Sequence, residues 1–405
     1  MPPPKTLHIT NFYHETSGGI RAFYQALVRY CNEIGREIRL VVPGEENRSE
    51  TMGPCGRIFY VRAPRSMFFD RRYRLIYPFS PAARETFRIL RAEQPDVLEI
   101  SDKYTLPYLS GMLRKGFVKG IKRPREIATS HERMDDNVAA QLTRCGIGGV
   151  FARFYMRRIY FAQFDHHIAN SRYTAAELVT ASQGHTTPRG IWVCPMGLDV
   201  AQFRFREPLP RPGRRLLYAG RLAPEKNVAL LIDVLERLRP EYSLIVAGEG
   251  PLKEWFQSEG QRRCPERIHM PGYLPDRKAY TRMFHEVDAF LHPNPREPFG
   301  ITPLEAMASG VPVVAPNAGG VLDYANRDNC WLCDPNAESL ANGVRSVFSD
   351  EDERIRKIRR ARVTAEQHDW RIIARRYFGL IDSIYERGIQ IEPPPLGAAA
   401  RWRAA

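Results

Sequence analysis

Short apolar runs alternate along the chain with segments in which apolar residues recur every three or four positions. A buried parallel strand is apolar on both faces and a covering helix on one stripe, so this alternation predicts parallel sheets covered by helices. The first strand, LHIT (7–10), is followed by a loop and an amphipathic helix over 20–34. Further strands of the first half are predicted at IRLVV, IFYVR, DVLEI, EIATS, HHIAN and IWVC, with helices at 81–93, 150–163 and 172–180.

A second series begins after the proline- and arginine-rich stretch 204–215. Its strands are predicted at RLLYAG, SLIVAG, IHMPGY, DAFLHP, VPVVAP and CWLCD, with helices near 227–239, 251–258, 277–285, 301–309 and 336–347. Two doubly wound α/β domains in tandem account for both series. The predicted divisions are a first domain over 1–200, a linker over 201–213, a second domain over 214–368, a C-terminal helix over 369–390 that returns to the first domain, and a disordered tail over 391–405.

Length and composition fit this interpretation and add an expectation about partners. The 405 residues are 43% hydrophobic and 26% charged, which excludes a small binding module and a disordered chain. The formal charge is +14, and residues 1–200 hold 29 basic against 19 acidic side chains. This excess suggests an anionic partner, which charge alone leaves open between a nucleotide, a nucleic acid and an anionic membrane.

Cysteines and hydropathy predict a compartment. The seven cysteines are odd in number and scattered, which favours a reducing cytoplasm over a disulfide framework. We find neither a signal peptide nor a run of about 18 apolar residues, so we expect a chain that is neither exported nor membrane-spanning.

The most informative stretch is PREPFGITPLEAMASGVPVVAPNAGG (295–320). It places Glu297 in a loop and Glu305 in a short helix, and carboxylates accept hydrogen bonds from paired sugar hydroxyls. One could hold a ribose and the other a hexose. The start of that helix carries the positive end of the helix dipole and forms a site for a diphosphate. The amides without intrahelical partners there belong to Gly300, Ile301 and Thr302.

Two other stretches follow predicted strands. LLYAGRLAPEKNV (216–228) carries Arg221 and Lys226 on a loop at the carboxyl end of a strand, where doubly wound sheets bind ligands, and two cations there suit a diphosphate. SLIVAGEGPL (243–252) turns through glycines that allow a flat ligand such as a base to approach the backbone closely. The turn consists of Gly248, Glu249 and Gly250.

In this order and spacing the three stretches resemble the C-terminal domain of family four glycosyltransferases. These are retaining nucleotide-sugar enzymes of GT-B architecture, in which two Rossmann-like domains face each other across a cleft. In the first half, SGGI (17–20), with Gly18 and Gly19, looks like the family's glycine-rich donor loop, and SHERMD (130–135) like its central histidine segment.

The resemblance implies roles for these residues. Arg221 and Lys226 would neutralise the leaving diphosphate, Glu305 would bind the ribose, and Glu297 and His131 would hold the transferred sugar. It also implies a chemistry without a metal ion, another cofactor or a covalent enzyme intermediate. The diphosphate would leave and help to deprotonate an acceptor hydroxyl that attacks the same face of the sugar.

SHERMD and EISDKYTLP (99–107) look most like bacterial mannosyltransferases that use GDP-mannose and lipid or glycolipid acceptors. On this resemblance Asp102 and Asp135 would bind the acceptor. The predicted function is retaining transfer of a hexose, with mannose a candidate, from a UDP- or GDP-sugar to a lipid, glycolipid or sugar acceptor. The alternatives are a nucleotide-sugar binding or scaffolding protein without turnover, or another enzyme on the same scaffold, such as an epimerase or a sucrose-type transferase.

Several remaining features have simpler interpretations. Cys330 and Cys333 have the spacing of a zinc or redox pair, but they fall in a predicted buried strand without a second pair. The acidic run 350–352 opens a helix, where acids suit the dipole better than a metal. The basic segments 114–125 and 149–164 are interpreted either as solvated helix faces or as contacts with an anionic membrane, at the inner face of the cytoplasmic membrane. Nucleic-acid binding is disfavoured, because no RNA or DNA module is recognised.

Overall fold

The computed structural model describes residues 3–14, 18–66, 73–141, 147–183, 190–207 and 213–387. The chain divides into two compact units. The described residues within 1–138, within 145–196 and from 370 onward form the first unit, and the described residues within 139–144 and 197–369 form the second.

Among the described residues, the first unit contains an eight-stranded sheet. Its strands are β1 (Thr6–Thr10), β2 (Ile38–Gly44), β3 (Arg48–Met52), β4 (Gly56–Arg62), β5 (Val97–Ser101), β6 (Arg125–Ser130), β7 (His166–Ala169) and β8 (Gly190–Val193). They lie in the order β3-β4-β2-β1-β5-β6-β7-β8, and the neighbours are parallel except for β3 with β4. The chain runs from β1 outward in one direction and then returns to place β5 on the other side of β1.

Helices cover both faces of this sheet. They are α1 (Gly18–Ile34), α2 (Pro81–Glu93), α3 (Pro107–Arg114), α4 (Met134–Gln141), α5 (Ile147–Tyr155) and α6 (Arg172–Ser182). The crossover through α1 runs in the opposite direction to the crossover through α3, so right-handed connections place these helices on opposite faces. Helices α2, α3, α5 and α6 share one buried core with the strands.

The second unit contains a six-stranded sheet within the described residues. Its strands are β9 (Arg215–Ala219), β10 (Ser243–Ala247), β11 (Ile268–Gly272), β12 (Ala289–Leu291), β13 (Val313–Pro316) and β14 (Trp331–Cys333). All neighbours are parallel, in the order β11-β10-β9-β12-β13-β14. This order reverses between β9 and β12, which makes the carboxyl ends of these two strands the topological switch point.

The helices of the second unit are α7 (Ala229–Arg237), α8 (Lys253–Arg263), α9 (Arg277–Met283), α10 (Ile301–Ser309), α11 (Ala337–Val347) and α12 (Glu351–Glu366). Side chains before several of them accept hydrogen bonds from the first turn and so fix where the helix begins. Asp276 caps α9, Asn336 caps α11, and Asp350 caps α12. The acidic run 350–352 therefore starts a helix, as its sequence suggests.

The last helix, α13 (Trp370–Arg387), belongs to the first unit and packs against α1. The Phe23 and Tyr377 rings meet edge to face, and the Arg29 guanidinium lies 4.3 Å from the Trp370 ring centroid. Arg36 forms an ion pair with Asp382 at 2.8 Å. The predicted tail, 391–405, lies outside the described residues.

The predicted elements correspond closely to the observed ones, with two differences. The predicted helix 150–163 is α5 followed by a π-helical turn at Met156–Tyr160 and a 3-10 turn at Phe161–Gln163. The pattern missed three short elements, namely β3, α3 and α4. The predicted C-terminal helix 369–390 corresponds to α13, and α12 ends before it at Glu366. Of the described helices, none is long and apolar enough to cross a membrane.

Candidate active site

The switch point of the second unit brings together one cation and one carboxylate from separate loops. Lys226 follows β9 and Glu297 follows β12. The Lys226 Nζ lies 2.9 Å from both carboxylate oxygens of Glu297. Because β9 and β12 are adjacent and parallel, their carboxyl ends meet at one edge of the sheet, and this topology makes the contact possible.

The loop that carries Lys226 has a defined backbone. Residues Pro224–Lys226 form a 3-10 turn, and Asn227 ends it in the left-handed conformation with φ 53°. Asparagine tolerates this conformation better than most residues. The Asn227 side chain then donates to the Pro293 carbonyl at 3.1 Å, which ties the β9 loop to the β12 loop.

Glu297 is held in the ionised state. Burial alone would raise its pKa, but the charge of Lys226, together with hydrogen bonds from Lys226 and Asn294, holds the pKa of Glu297 below its usual value. The Asn294 amide donates to this carboxylate at 3.1 Å. A buried carboxylate kept charged in this way is ready to accept hydrogen bonds from ligand hydroxyls.

His292 stands beside this pair. Its ring is buried, its Nε2 lies 4.0 Å from Glu297, and that nitrogen has no hydrogen-bond partner among the described residues. Burial lowers the pKa of His292 to about 4, since it outweighs the opposing charge of Glu297. The ring is therefore neutral near pH 7.

Glu305 lies inside α10 and has a different environment. It forms an ion pair with Arg277 at 3.2 Å and accepts a hydrogen bond from the Tyr280 hydroxyl, and both partners come from α9. Burial raises the pKa of Glu305 above its usual value despite the charge of Arg277. The two carboxylates of the 295–320 stretch thus have pKa values displaced in opposite directions, a pattern typical of functional sites.

The first turn of α10 is its accessible end. Gly300 precedes the helix at φ 87°, and it lacks a side chain that could cap the first amides. Ile301 and Thr302 are half-buried, whereas residues 303–309 are buried. A side chain at position 300 would also lie within 2.9 Å of the Tyr324 hydroxyl. The predicted anion-binding amides are thus at the exposed end of an otherwise buried helix.

The glycine pair at 319–320 explains why the loop before α10 keeps its shape. The Gly320 amide donates to the Glu297 carbonyl at 2.7 Å. A Cβ at position 320 would lie 2.0 Å from the Pro298 carbonyl oxygen. Only glycine permits this approach, so the pair braces the loop that carries Glu297.

The glycines at 248 and 250 have a close neighbour that the sequence did not reveal. A Cβ at Gly248 would lie 1.9 Å from the Gly220 carbonyl oxygen, and one at Gly250 would lie 2.2 Å from that of Leu222. The Leu222 amide donates to the Glu249 carbonyl at 3.0 Å. These glycines are therefore required by the β9 loop, and their approach to a ligand base stays a prediction.

Glu249 and Arg221 have intramolecular ion pairs. Glu249 pairs with Lys253 at 2.7 Å, one turn further along. Arg221 lies 3.6 Å from Glu225, and its carbonyl accepts from the Tyr218 hydroxyl. Both side chains are more than one third exposed, so a ligand can compete for them.

In the first unit, His131 follows β6. Both ring nitrogens are buried without hydrogen-bond partners among the described residues, and its carbonyl accepts from Asn170 at 3.1 Å. The Phe23 ring packs edge-on at 5.1 Å. Burial lowers the pKa of His131 to about 4, so the ring is neutral near pH 7. Gly18 and Gly19 begin α1, and residues 15–17 before them lie outside the described residues.

The two predicted acceptor residues make internal contacts. Asp102 is buried and accepts hydrogen bonds from the Asn11 side chain and from the amides of Tyr104 and Thr105. Asp135 pairs with Arg133 at 2.5 Å. Both carboxylates therefore stabilise the protein through contacts of their own. Their contact with an acceptor stays a prediction.

Four residues of this site were missed by sequence reasoning, namely Arg277, Tyr280, His292 and Asn294. His292 and Asn294 precede Glu297 within five residues, so their spacing was a usable signal. Arg277 and Tyr280 come from α9, more than twenty residues before Glu305, and only the tertiary structure shows that they reach it.

Comparison with known proteins shows which families this chain matches. The family model Glycosyltransferase Family 4 matches residues 17–202, and Glycosyl transferases group 1 matches residues 199–364. The GDP-mannose-dependent alpha-(1-6)-phosphatidylinositol dimannoside mannosyltransferase of Mycobacterium tuberculosis is 29% identical over 378 residues, which are 90% of this chain and 93% of that protein.

Two solved structures show the same fold. Sucrose-phosphate synthase from Thermosynechococcus elongatus has a TM-score of 0.78 at 17% identity, over 95% of this chain and 100% of that chain. Anabaena HepE in complex with UDP-glucose has a TM-score of 0.67 at 16% identity, over 93% and 99%. With the two Rossmann-like units described above, these structural matches show the GT-B fold, and the two family models, which together span residues 17–364, show that the chain is a glycosyltransferase of family 4.

Proposed function

We propose that this glycosyltransferase moves a hexose, with mannose as the first candidate, from a GDP- or UDP-sugar to a lipid-linked or other sugar acceptor, with retention of configuration. The Lys226–Glu297 pair at the switch point carries the proposal, because it offers a cation for a diphosphate and an ionised acceptor for sugar hydroxyls at one point. The mycobacterial relative, whose name specifies GDP-mannose and a phosphatidylinositol dimannoside, supports the choice of sugar and acceptor.

Lys226 is proposed to exchange partners when the donor binds. Its side chain is 28% exposed, so it can turn from Glu297 towards an incoming diphosphate. The first amides of α10 and the Arg221 side chain would add positive charge on the same ligand. Glu297 would then accept hydrogen bonds from the sugar hydroxyls, and Glu305 from the ribose.

The reaction breaks the bond between the anomeric carbon and the diphosphate oxygen and forms a bond from that carbon to the acceptor oxygen on the same face. The acceptor proton passes to the departing diphosphate. Negative charge grows on the diphosphate in the transition state, so Lys226, Arg221 and the α10 dipole would lower the barrier by stabilising it. These groups would supply the positive charge without a metal ion or another cofactor.

His131 is proposed to contact the transferred sugar. Because its ring is neutral, one nitrogen can donate and the other can accept. Both nitrogens lack partners among the described residues, so a sugar hydroxyl would satisfy a buried polar group.

We also propose that the enzyme works in the cytoplasm, at the inner face of the cytoplasmic membrane. The six cysteines within the described residues are free thiols, which suits a reducing compartment.

The test is a product assay with GDP-mannose, UDP-glucose and UDP-galactose against phosphatidylinositol mannoside acceptors, with and without EDTA. We expect nucleoside diphosphate release, a mannosylated product whose α linkage is read by NMR, and turnover unchanged by EDTA. Thermal shifts with the free nucleotides report donor binding separately. A thermal shift with no product from any donor would favour the scaffolding alternative.

Glu305→Gln sharpens this test, because it keeps the size of the side chain but removes its charge. We expect weaker donor binding and a loss of turnover, with a melting temperature close to that of the wild type. Glu338→Gln, on the exposed start of α11, is the matched control. Near-normal turnover of the Glu305 variant would contradict the ribose assignment.

A further inference from the structure

An apolar groove lies on the outer surface of the first unit, between α2 and α3. Its volume is about 270 Å³, and its lining includes Phe79, Arg84, Arg91, Met112 and Phe117. The two most exposed large apolar side chains among the described residues are Phe79, at 80%, and Phe117, at 72%, and both line this one groove. Exposed apolar patches of this kind mark interaction sites.

The backbone holds both phenylalanines in place. Phe79 has φ 62°, a conformation that a bulky residue rarely adopts, and it directly precedes the N-cap of α2. Phe117 follows Gly116, at φ 71°, and its amide donates to the Met112 carbonyl at 3.0 Å. Both rings are thus presented to solvent from a fixed backbone.

The loop around Phe117 is fastened to the end of α2. Arg91 donates to the Lys119 carbonyl at 2.9 Å, and the Gln94 side chain donates to the Gly120 carbonyl at 2.8 Å. The Lys122 amide donates in turn to Gln94 at 3.0 Å. Helix α2 and this loop therefore form one continuous surface.

The charge around the groove is strongly positive. Segments 79–93, 107–125 and 147–164, which surround it or cover the same face of the sheet, hold 12 Lys and Arg against 2 Asp and Glu. Arg84, Lys115 and Lys119 are exposed and form no ion pair with another described residue. On the same face, α5 exposes Val150, Phe151 and Phe154 beside Arg153.

We propose that this groove and its basic rim form the surface by which the first unit docks on an anionic lipid membrane. Phe79 and Phe117 insert at the level of the headgroups, and Arg84, Lys115 and Lys119 contact the anionic headgroups. Aromatic rings with cations around them are the combination that interfacial binding uses. This docking surface deepens the proposed function, because it would bring a lipid-borne acceptor to the enzyme. It rests on the proposed function only for that acceptor.

The experiment is co-sedimentation of the full chain with phosphatidylcholine vesicles, with and without phosphatidylglycerol. We expect binding to the anionic vesicles, and weakening by salt. Phe79→Ser/Phe117→Ser should weaken binding about tenfold or more, because two rings no longer leave water. Lys115→Gln/Lys119→Gln should weaken it about 30-fold at low salt. Phe117→Trp should bind as well as the wild type, since tryptophan also prefers the interface.

Matched controls lie elsewhere on the surface. Ile34→Ser/Ile372→Ser removes two half-exposed apolar side chains of α1 and α13, which lie away from this groove, and Arg359→Gln/Arg360→Gln removes two exposed cations of α12. Both should leave vesicle binding unchanged. Equal loss of binding in variants and controls would overturn the docking surface.

Two further outcomes would also overturn it. One is wild-type protein that does not bind anionic vesicles at all. The other is self-association that the phenylalanine variant abolishes in analytical ultracentrifugation while vesicle binding persists, since that result assigns the groove to a second copy of the chain. Vesicle binding needs no turnover, so its failure leaves the product assay with a detergent-dispersed acceptor as an independent measure of the proposed function.

Discussion

The two units have the same kind of switch point and use it differently. In the second unit, the loops after β9 and β12 meet through Lys226 and Glu297, an ion pair with a partly exposed cation. In the first unit, the loops after β1 and β5 meet through Asn11 and Asp102, both buried. The junction in the second unit is charged and accessible, whereas the junction in the first unit is closed by internal hydrogen bonds.

This difference shows that strand order alone does not make a binding site. Asp102 is saturated by the Asn11 side chain and by two backbone amides, so its carboxylate stabilises the turn into α3. One strand away, at the end of β6, both nitrogens of the His131 ring have no hydrogen-bond partner among the described residues. A switch point offers a crevice, and the side chains decide whether a ligand or the protein itself fills it.

Among the variants that test this comparison, Lys226→Met should have the largest effect. We expect turnover to fall by about 10²–10³-fold, because the proposed mechanism loses the cation that would stabilise developing charge on the diphosphate. The same change leaves Glu297 buried without its counter-ion, so the free energy of unfolding should fall as well.

The double variant Lys226→Met/Glu297→Gln separates these effects. It should recover stability in urea denaturation, since neither charge is then buried alone, but it should not recover turnover. Recovery of both would mean that the pair is structural, like its counterpart in the first unit.

Asp102→Asn is the corresponding change in the first unit. We expect a loss of up to about 3 kcal/mol in the free energy of unfolding, because an amide group replaces a charged acceptor of two buried backbone donors. Turnover per folded molecule should be unchanged at saturating acceptor. A specific rise in the KM for the acceptor, with normal stability, would instead support the acceptor role predicted from the sequence.

A change of pH should have a smaller effect on the free energy of unfolding. Burial lowers the pKa of His166, in the first unit, and of His292, in the second, to about 4, below the value near 6.5 of an unfolded chain. Between these pH values the unfolded state binds protons that the native state does not. The contribution of each histidine to the free energy of unfolding is therefore fully present above pH 6.5 and falls as the pH drops towards 4. At pH 5 each histidine should lower the free energy of unfolding by on the order of 2 kcal/mol relative to pH 7.

Urea denaturation at pH 7 and pH 5 measures this cost. His166→Asn and His292→Asn should each reduce the pH dependence, and His269→Asn, at an exposed position of β11, should not. The pH profile of turnover then distinguishes the two units. Only the His292 variant should change this profile, because His292 lies beside Glu297. An unchanged profile would show that His292 serves only packing.

Much of the fold was readable because the apolar pattern of a parallel sheet is strong. Nearly all the long strands and helices match, and α10 was predicted at its observed bounds. The missed elements are those whose pattern is weak. Strand β3 is exposed along its length, so no apolar alternation marks it. Helices α3 and α4 have eight residues each, which is too short for a clear helical period.

The sequence by itself determined the parallel α/β architecture and the family resemblance, since both depend on patterns of neighbouring residues. It also picked out Arg221, Lys226, Glu297 and Glu305 as chemistry-bearing residues. Only the tertiary structure decided which partners they have, because Arg277 and Tyr280 reach Glu305 from α9, and Lys226 reaches Glu297 from the loop after β9. The structure also showed that Gly248 and Gly250 accommodate a neighbouring loop and that Asp102 is buried. These facts depend on contacts between segments distant in the chain, which local periodicity cannot encode.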